Sequence, residues 1–140
     1  MPNRISVMAD IEKNKKLARD FFEQIWNQGD ESAIDKFIAE NASGNDPKFG
    51  VGRQSFRIAW RAWRKAFPEI HFAVQEIIAE GDTDDTRWHL TGTHLGEYLG
   101  KQATGVKVSV DGVSIDRLKD GMVVSGFDAW DSAVLSEQLS

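Results

Sequence analysis

The hydrophobic period of this chain changes once, at Pro68, and that change most limits what it can fold into. Before it, apolar residues recur every three or four positions. Leu17, Phe21, Phe22, Ile25 and Trp26 form one such stripe, and Phe56, Ala59, Trp60, Trp63 and Phe67 form another. After it the spacing is two: Ile70, Phe72, Val74 and Ile78 alternate with His71, Ala73, Gln75 and Ile77. Proline lacks an amide hydrogen and ends the helical part. Helices first and strands afterwards predict an α+β domain, with the helices on one face of a sheet.

The first helix is expected from about Asp10, after a loose lead-in over residues 1–9, and residues 10–140 read as one domain. Gly29 falls just past its end, and Asp30 is placed to cap a second helix carrying Ala33, Ile34, Phe37 and Ile38. The Asn-, Gly- and Ser-rich segment 41–52 reads as loop, with a short edge strand near Phe49-Gly50-Val51. A third helix is expected over 54–66. Strands follow over 70–78, 86–94, 106–118 and 122–130, with turns at Gly81-Asp82 and Asp120-Gly121 and a loop over 96–105.

The last hairpin decides which residues share a face, because side chains alternate along a strand. A two-residue Asp120-Gly121 turn puts Lys119 opposite Met122. A three-residue loop with a glycine bulge puts Leu118 there instead. The second is favoured, because it gathers Val110, Gly112, Ser114 and Asp116 on one face with Val124, Gly126, Asp128 and Trp130. Glycines beside carboxylates leave the volume a ligand needs. The plainer alternative is that the glycines ease a bend and Asp128 caps a strand end.

Composition narrows the function classes. A formal charge of −5 disfavours nucleic acid as a partner, and zero cysteines remove thiolate and disulfide chemistry. No apolar run reaches the length of a membrane span, and Met1 to Asp10 shows no secretory h-region, so a cytoplasmic protein is expected. Three scattered histidines have no metal-ligand spacing, so neither a metal nor a cofactor is expected.

Several phrases together resemble the SnoaL-like polyketide cyclase family of the nuclear-transport-factor-2-like superfamily. They are Phe22-Glu23-Gln24-Ile25-Trp26-Asn27-Gln28-Gly29-Asp30, Ala66-Phe67-Pro68-Glu69-Ile70, Ala79-Glu80-Gly81-Asp82, Arg87 through Glu97, Ala103-Thr104-Gly105 and Asp120-Gly121. The resemblance spans about Asn14 to Leu135. It implies a cone-shaped α+β barrel whose curved mixed or antiparallel sheet wraps on about three helices. It also implies a homodimer, a deep pocket, and cofactor-free acid–base chemistry such as aldol ring closure. The family's aspartate follows a Glu-His-Trp phrase. Here the stretch is Ser125-Gly126-Phe127-Asp128, so the aspartate carries over while Glu and His do not. Histidines of some members correspond to Ser114 and to the neighbourhood of Asn45.

Asp128 is the candidate catalytic base, since burial raises a carboxylate's pKa towards working pH. Asp116 is its candidate protonated neighbour; a salt bridge to arginine is the ordinary alternative. Ser114, His94 and Asn45 are candidates to orient a substrate oxygen, although a loop histidine or turn asparagine more often serves local structure. Trp26, Trp60, Trp63 and Trp88 are placed to line a helix–sheet cavity, with Phe22, Trp60 and Trp88 the expected walls and core filling the alternative. Arg57, Arg61 and Lys65 read as a solvated helix face. The convex sheet face, with His89, Thr91, Val113, Ile115 and Phe127, is the expected dimer surface. The expected function is a cofactor-independent acid–base enzyme acting on a polyketide-like or aromatic molecule. A non-catalytic binding or dimerisation module is the alternative, as is a hydroxylase- or hydrolase-type relative.

Overall fold

The computed structural model describes residues 4–140. Its first helix, α1, is already formed at Arg4 and runs to Asp20, so the expected lead-in is helical from residue 4, while residues 1–3 lie outside the described part. The described side chains of its first turns face solvent, so no core-facing period marks the start. The helix continues as a wider π-helical segment, Phe21–Asn27, which buries Phe22, Ile25 and Trp26. The chain then forms α2 (Ser32–Phe37), β1 (Ile38–Gly44), α3 (Arg53–Ala66), β2 (His71–Glu80), β3 (Thr83–Thr93), β4 (Lys107–Lys119), β5 (Met122–Trp130) and α4 (Ser132–Leu139).

The α+β architecture is as expected: helices pack on one face of a five-stranded sheet in the order β1-β5-β4-β3-β2. β1 runs parallel to β5 and the other neighbours are antiparallel, which makes the sheet mixed. Two elements escaped the sequence pattern. β1 lies in a stretch expected to be helix end and loop, because its residues are mostly small or polar and only Ile38 is buried. Its strand form comes from pairing with β5, a tertiary cause that local pattern does not carry. The edge strand expected at Phe49-Gly50-Val51 is instead a turn. α4 is capped by Asp131, whose carboxylate accepts from Ala133 N at 2.9 Å, and it buries Leu135 and Leu139 one turn apart.

Both outer hairpins contain a register shift. In β2 the extra residue is Gln75, so Ile77 is buried and Ile78 is 60% exposed, the reverse of simple alternation. In β5 it is Val124: Leu118 pairs Val123 and Arg117 pairs Ser125. The β4–β5 turn is therefore the two-residue Asp120-Gly121 form, both residues with positive φ (53° and 77°), and not the favoured three-residue loop. The bulge performs the slip inside the strand. The shared face is kept but the partners differ from the expected loop: Ser114 pairs Asp128, Asp116 pairs Gly126, and Gly112 pairs Trp130.

Inward residues of β3 and β4 have even numbers. Trp88, Leu90, Val108 and Val110 join Phe22, Trp26, Trp63, Phe67 and Phe72 in one aromatic-rich core. Gly112 is required there: a Cβ on it would stand 2.3 Å from the Trp88 ring. The opposite face is less apolar than its sequence suggests. Ile78, Asp85, Ile115 and Phe127 form one cross-strand row, with Phe127 53% exposed. Beside it His89 bonds Asp111 (Nδ1 to Oδ1, 2.7 Å) and Ser109 (Nε2 to Oγ, 2.9 Å).

Candidate active site

Between the helices and the sheet lies a chamber walled by rings. The π-helical segment supplies Phe22 and Trp26, α3 supplies Phe56 and Trp63, and the sheet supplies Phe72, Trp88 and Trp130. Phe49 closes it from the 45–52 loop and Leu135 from α4. Apart from indole N–H groups, its polar side chains are Ser114 and Asp128.

These two are linked in a fixed order. Trp88 Nε1 donates to Ser114 Oγ at 2.9 Å, and Ser114 Oγ donates to Asp128 Oδ1 at 2.7 Å. No protein hydrogen bond reaches Asp128 Oδ2 among the described residues, which leaves that oxygen for a ligand. Burial pushes the Asp128 carboxyl above the ordinary carboxylate range; the Ser114 bond opposes this, and nearby Asp46 adds to it. The result is a carboxylate more basic than a surface aspartate and held at one oxygen.

Asn45 holds the backbone of the same residue. Its Nδ2 donates to Asp128 O at 2.9 Å, and its Oδ1 accepts from Asp128 N at 2.8 Å. This departs from its expected role: one amide N–H and the amide oxygen continue the β1–β5 pairing and hold the Asp128 backbone. Ser114 donates its hydroxyl hydrogen to Asp128, so it positions that carboxylate instead of orienting substrate.

Asp116 is buried on the same sheet face and, among the described residues, has no side-chain hydrogen bond or ion pair, so the arginine alternative is not seen there. It borders a second chamber with Gly44, Asp46, Gly126 and Asp128. Burial is the main cause lifting its pKa to about 8, with Asp128 and Asp84 adding to it. It therefore holds a proton at neutral pH.

Two other expectations fail. His94 is wholly buried and away from the chamber. Its Nδ1 accepts from Thr104 N at 3.2 Å and lies 2.9 Å from Thr104 Oγ1, so it fastens the 96–105 loop. Trp60 is turned away from the cavity, with Nε1 donating to Ile25 O at 3.0 Å. Phe22 and Trp88 do stand in the wall. Arg61 is exposed and pairs with Glu31, whereas Arg57, paired with Glu31 and Asp35, is largely covered, its side chain only 12% exposed, so the solvated reading fails for it.

Sequence reasoning missed Asp84 and Thr86, fully buried with side-chain oxygens that have no partner among the described residues. They share the even parity of Trp88, which was the available signal. Desolvation raises Asp84 to about 6, with Lys15 opposing it. Trp130 and Leu135 were also missed as wall residues, although Trp130 lies two positions from Asp128 and on its face. Among the described residues no cluster of histidines and carboxylates has the arrangement of a metal site, and no helix is long and apolar enough to cross a membrane.

A helix-backed mixed sheet with a ring-lined chamber and inward carboxylates defines a protein of the nuclear-transport-factor-2-like fold. The sequence pattern of the SnoaL-like polyketide cyclases matches residues 16–139, and this chain belongs to that family. AclR of Streptomyces galilaeus, a candidate hydroxylase, is 30% identical with a TM-score of 0.82, over 92% of this chain and 96% of its own. IdmH of Streptomyces antibioticus, a candidate polyketide cyclase, is 25% identical with a TM-score of 0.76, over 90% and 97%. TsrD of Streptomyces laurentii shares the fold at 24% identity and a TM-score of 0.84, over 100% and 98%. No curated protein sequence matches this chain.

Proposed function

We propose that this protein is a cofactor-independent acid–base enzyme for a polyketide-like or aromatic compound, with Asp128 as the proton-transferring group. The observation that carries this reading is the Trp88–Ser114–Asp128 chain, which ends on a free, desolvated carboxylate oxygen inside an aromatic chamber. A flat ligand stacks on the rings. Asp128 Oδ2 takes a proton from a carbon next to a carbonyl, and the resulting carbanion closes on a second carbonyl carbon. The new alkoxide recovers the proton from Asp128, so the carboxylate is regenerated. The family's candidate cyclases are consistent with this class of chemistry.

The base can be tested without the natural substrate. 5-Nitrobenzisoxazole is a flat bicycle whose ring opens when one C–H proton is removed. Opening should accelerate as pH rises through a group titrating above the ordinary carboxylate range. Asp128→Asn should remove that acceleration; equal rates for the variant and the parent protein would overturn the assignment.

The departure of Ser125-Gly126-Phe127 from the family's Glu-His-Trp phrase favours a second reading, a non-catalytic binder using the same chamber. In that case the probe binds and quenches tryptophan fluorescence but opens no faster than in buffer. The reading of the convex face is a second copy of this chain covering Ile78, Ile115 and Phe127. Phe127→Glu should then halve the mass seen in sedimentation.

A further inference from the structure

Asp128 and the stacked pair Phe49 and Phe56 (ring centroids 5.2 Å apart) line both chambers and form the partition between them. The chamber beyond the partition differs in chemistry. Its walls include the backbone around Gly44, Gly50, Gly52 and Gly126, and its carboxyl groups are Asp46, Asp116 and Asp128.

We propose that this second chamber is a subsite for a neutral oxygen-bearing arm of the ligand, a ketone or hydroxyl held by the Asp116 carboxyl, and that it rejects carboxylates. The proposal rests on the aromatic chamber receiving the ligand's ring. Three observations support it. Asp116 is only 8% exposed, borders the space and makes no side-chain hydrogen bond among the described residues, a cost that a ligand acceptor would relieve. Gly126 makes room for that carboxyl, since a Cβ there would lie 2.9 Å from Asp116 Oδ1. The aromatic chamber's own hydroxyl, on Ser114, is already committed to Asp128, so Asp116 is the carboxyl left to meet a ligand oxygen.

Charge gives the selectivity. The charged groups facing Asp116 are Asp128 from β5 and Asp84 from β3, with Asp46 on the loop at the chamber wall; Lys15 of α1 faces Asp84. A carboxylate arm would meet carboxylates of its own sign, whereas a ketone accepts the Asp116 proton. That proton is lost near pH 8, so ketone binding weakens as pH rises through that value.

The test uses naphthalene, 1-naphthylacetone and 1-naphthylacetate, read by quenching of the chamber tryptophans in the full-length protein. At pH 6 the ketone should bind about tenfold more tightly than the carboxylate, and ketone binding itself should weaken above pH 8. Asp116→Leu should weaken ketone binding to the level of naphthalene, leave naphthalene binding as it was and leave the carboxylate the weakest of the three. Asp116→Asn keeps a donor that does not titrate, so it should hold the ketone with no pH dependence. Gly126→Ala should weaken the ketone selectively, which guards against a misfolded Leu variant. Equal binding of ketone and carboxylate, or a ketone affinity indifferent to Asp116→Leu, overturns the subsite alone. Failure of naphthalene itself to bind overturns the aromatic chamber and the subsite with it.

Discussion

Asp116 and Asp128 sit on adjacent strands of one sheet face, yet the fold treats them differently. Asp128 has a hydroxyl at one oxygen, an asparagine on its backbone and, among the described residues, no hydrogen bond to its other oxygen, and it lines both chambers. Asp116 has only desolvation and like charges around it. Hydrogen bonding to the charged form favours ionisation, whereas burial without a partner opposes it. One sheet thus produces a usable base and a retained acid from the same residue type. The difference lies in what the neighbouring strands offer each carboxyl.

Substitutions can break that contrast. The largest effect should come from Asp128→Asn, with a loss of about 10²- to 10⁴-fold in proton-abstraction rate, measured with the benzisoxazole probe. The melting temperature should move little, because the amide can still accept from Ser114. Next, Gly112→Val forces the Trp88 ring off its bed and strains the relay at its origin. Urea denaturation should show a loss of about 1–3 kcal/mol, accompanied by a lower probe rate.

The contrast also predicts a pH dependence of stability. Asp84 titrates near 6 and Asp116 near 8 when folded, against an ordinary 3.8. Between about pH 4 and 8 the folded chain therefore holds protons that the unfolded chain releases, and stability falls as pH rises through that window. Asp84→Asn should be stabilising by about 1–3 kcal/mol at pH 8 and neutral at pH 3, seen in paired urea titrations. A variant less stable than the parent at pH 8 would show that Asp84 has a partner the contacts do not reveal. The smallest change sharpens the comparison. Ser114→Ala removes the bond that favours ionised Asp128, so the rising limb of the pH–rate profile should move to higher pH. Orphaning Trp88 Nε1 should also cost about 1 kcal/mol.

The α+β class, α3, the four antiparallel strands and the inward placement of Asp128 were legible because amphipathic spacing records which face meets the core. β1 was not, since Ala39 to Gly44 pair through backbone groups that have no sequence signature. The two bulges were also hidden: a sequence shows parity, and an inserted residue resets it only where the partner strand fails to follow. The bulge at Val124 restored the shared face expected from a different turn, but with partners two residues further along β5. His94 and Trp60 were misplaced for a common reason. Each has a polar ring atom that a nearby backbone or loop group claims, and neither competitor is adjacent in the chain. Phe22 and Trp88 were found because their stripes point at the same space from opposite sides.

The double amide bond from Asn45 has a mechanical consequence. The loop that begins there also carries Phe49, one of the rings dividing the two compartments. One side chain therefore sets two things at once, the aim of the carboxylate and the anchorage of the dividing ring. Asn45→Ala should loosen both together and lower the probe rate.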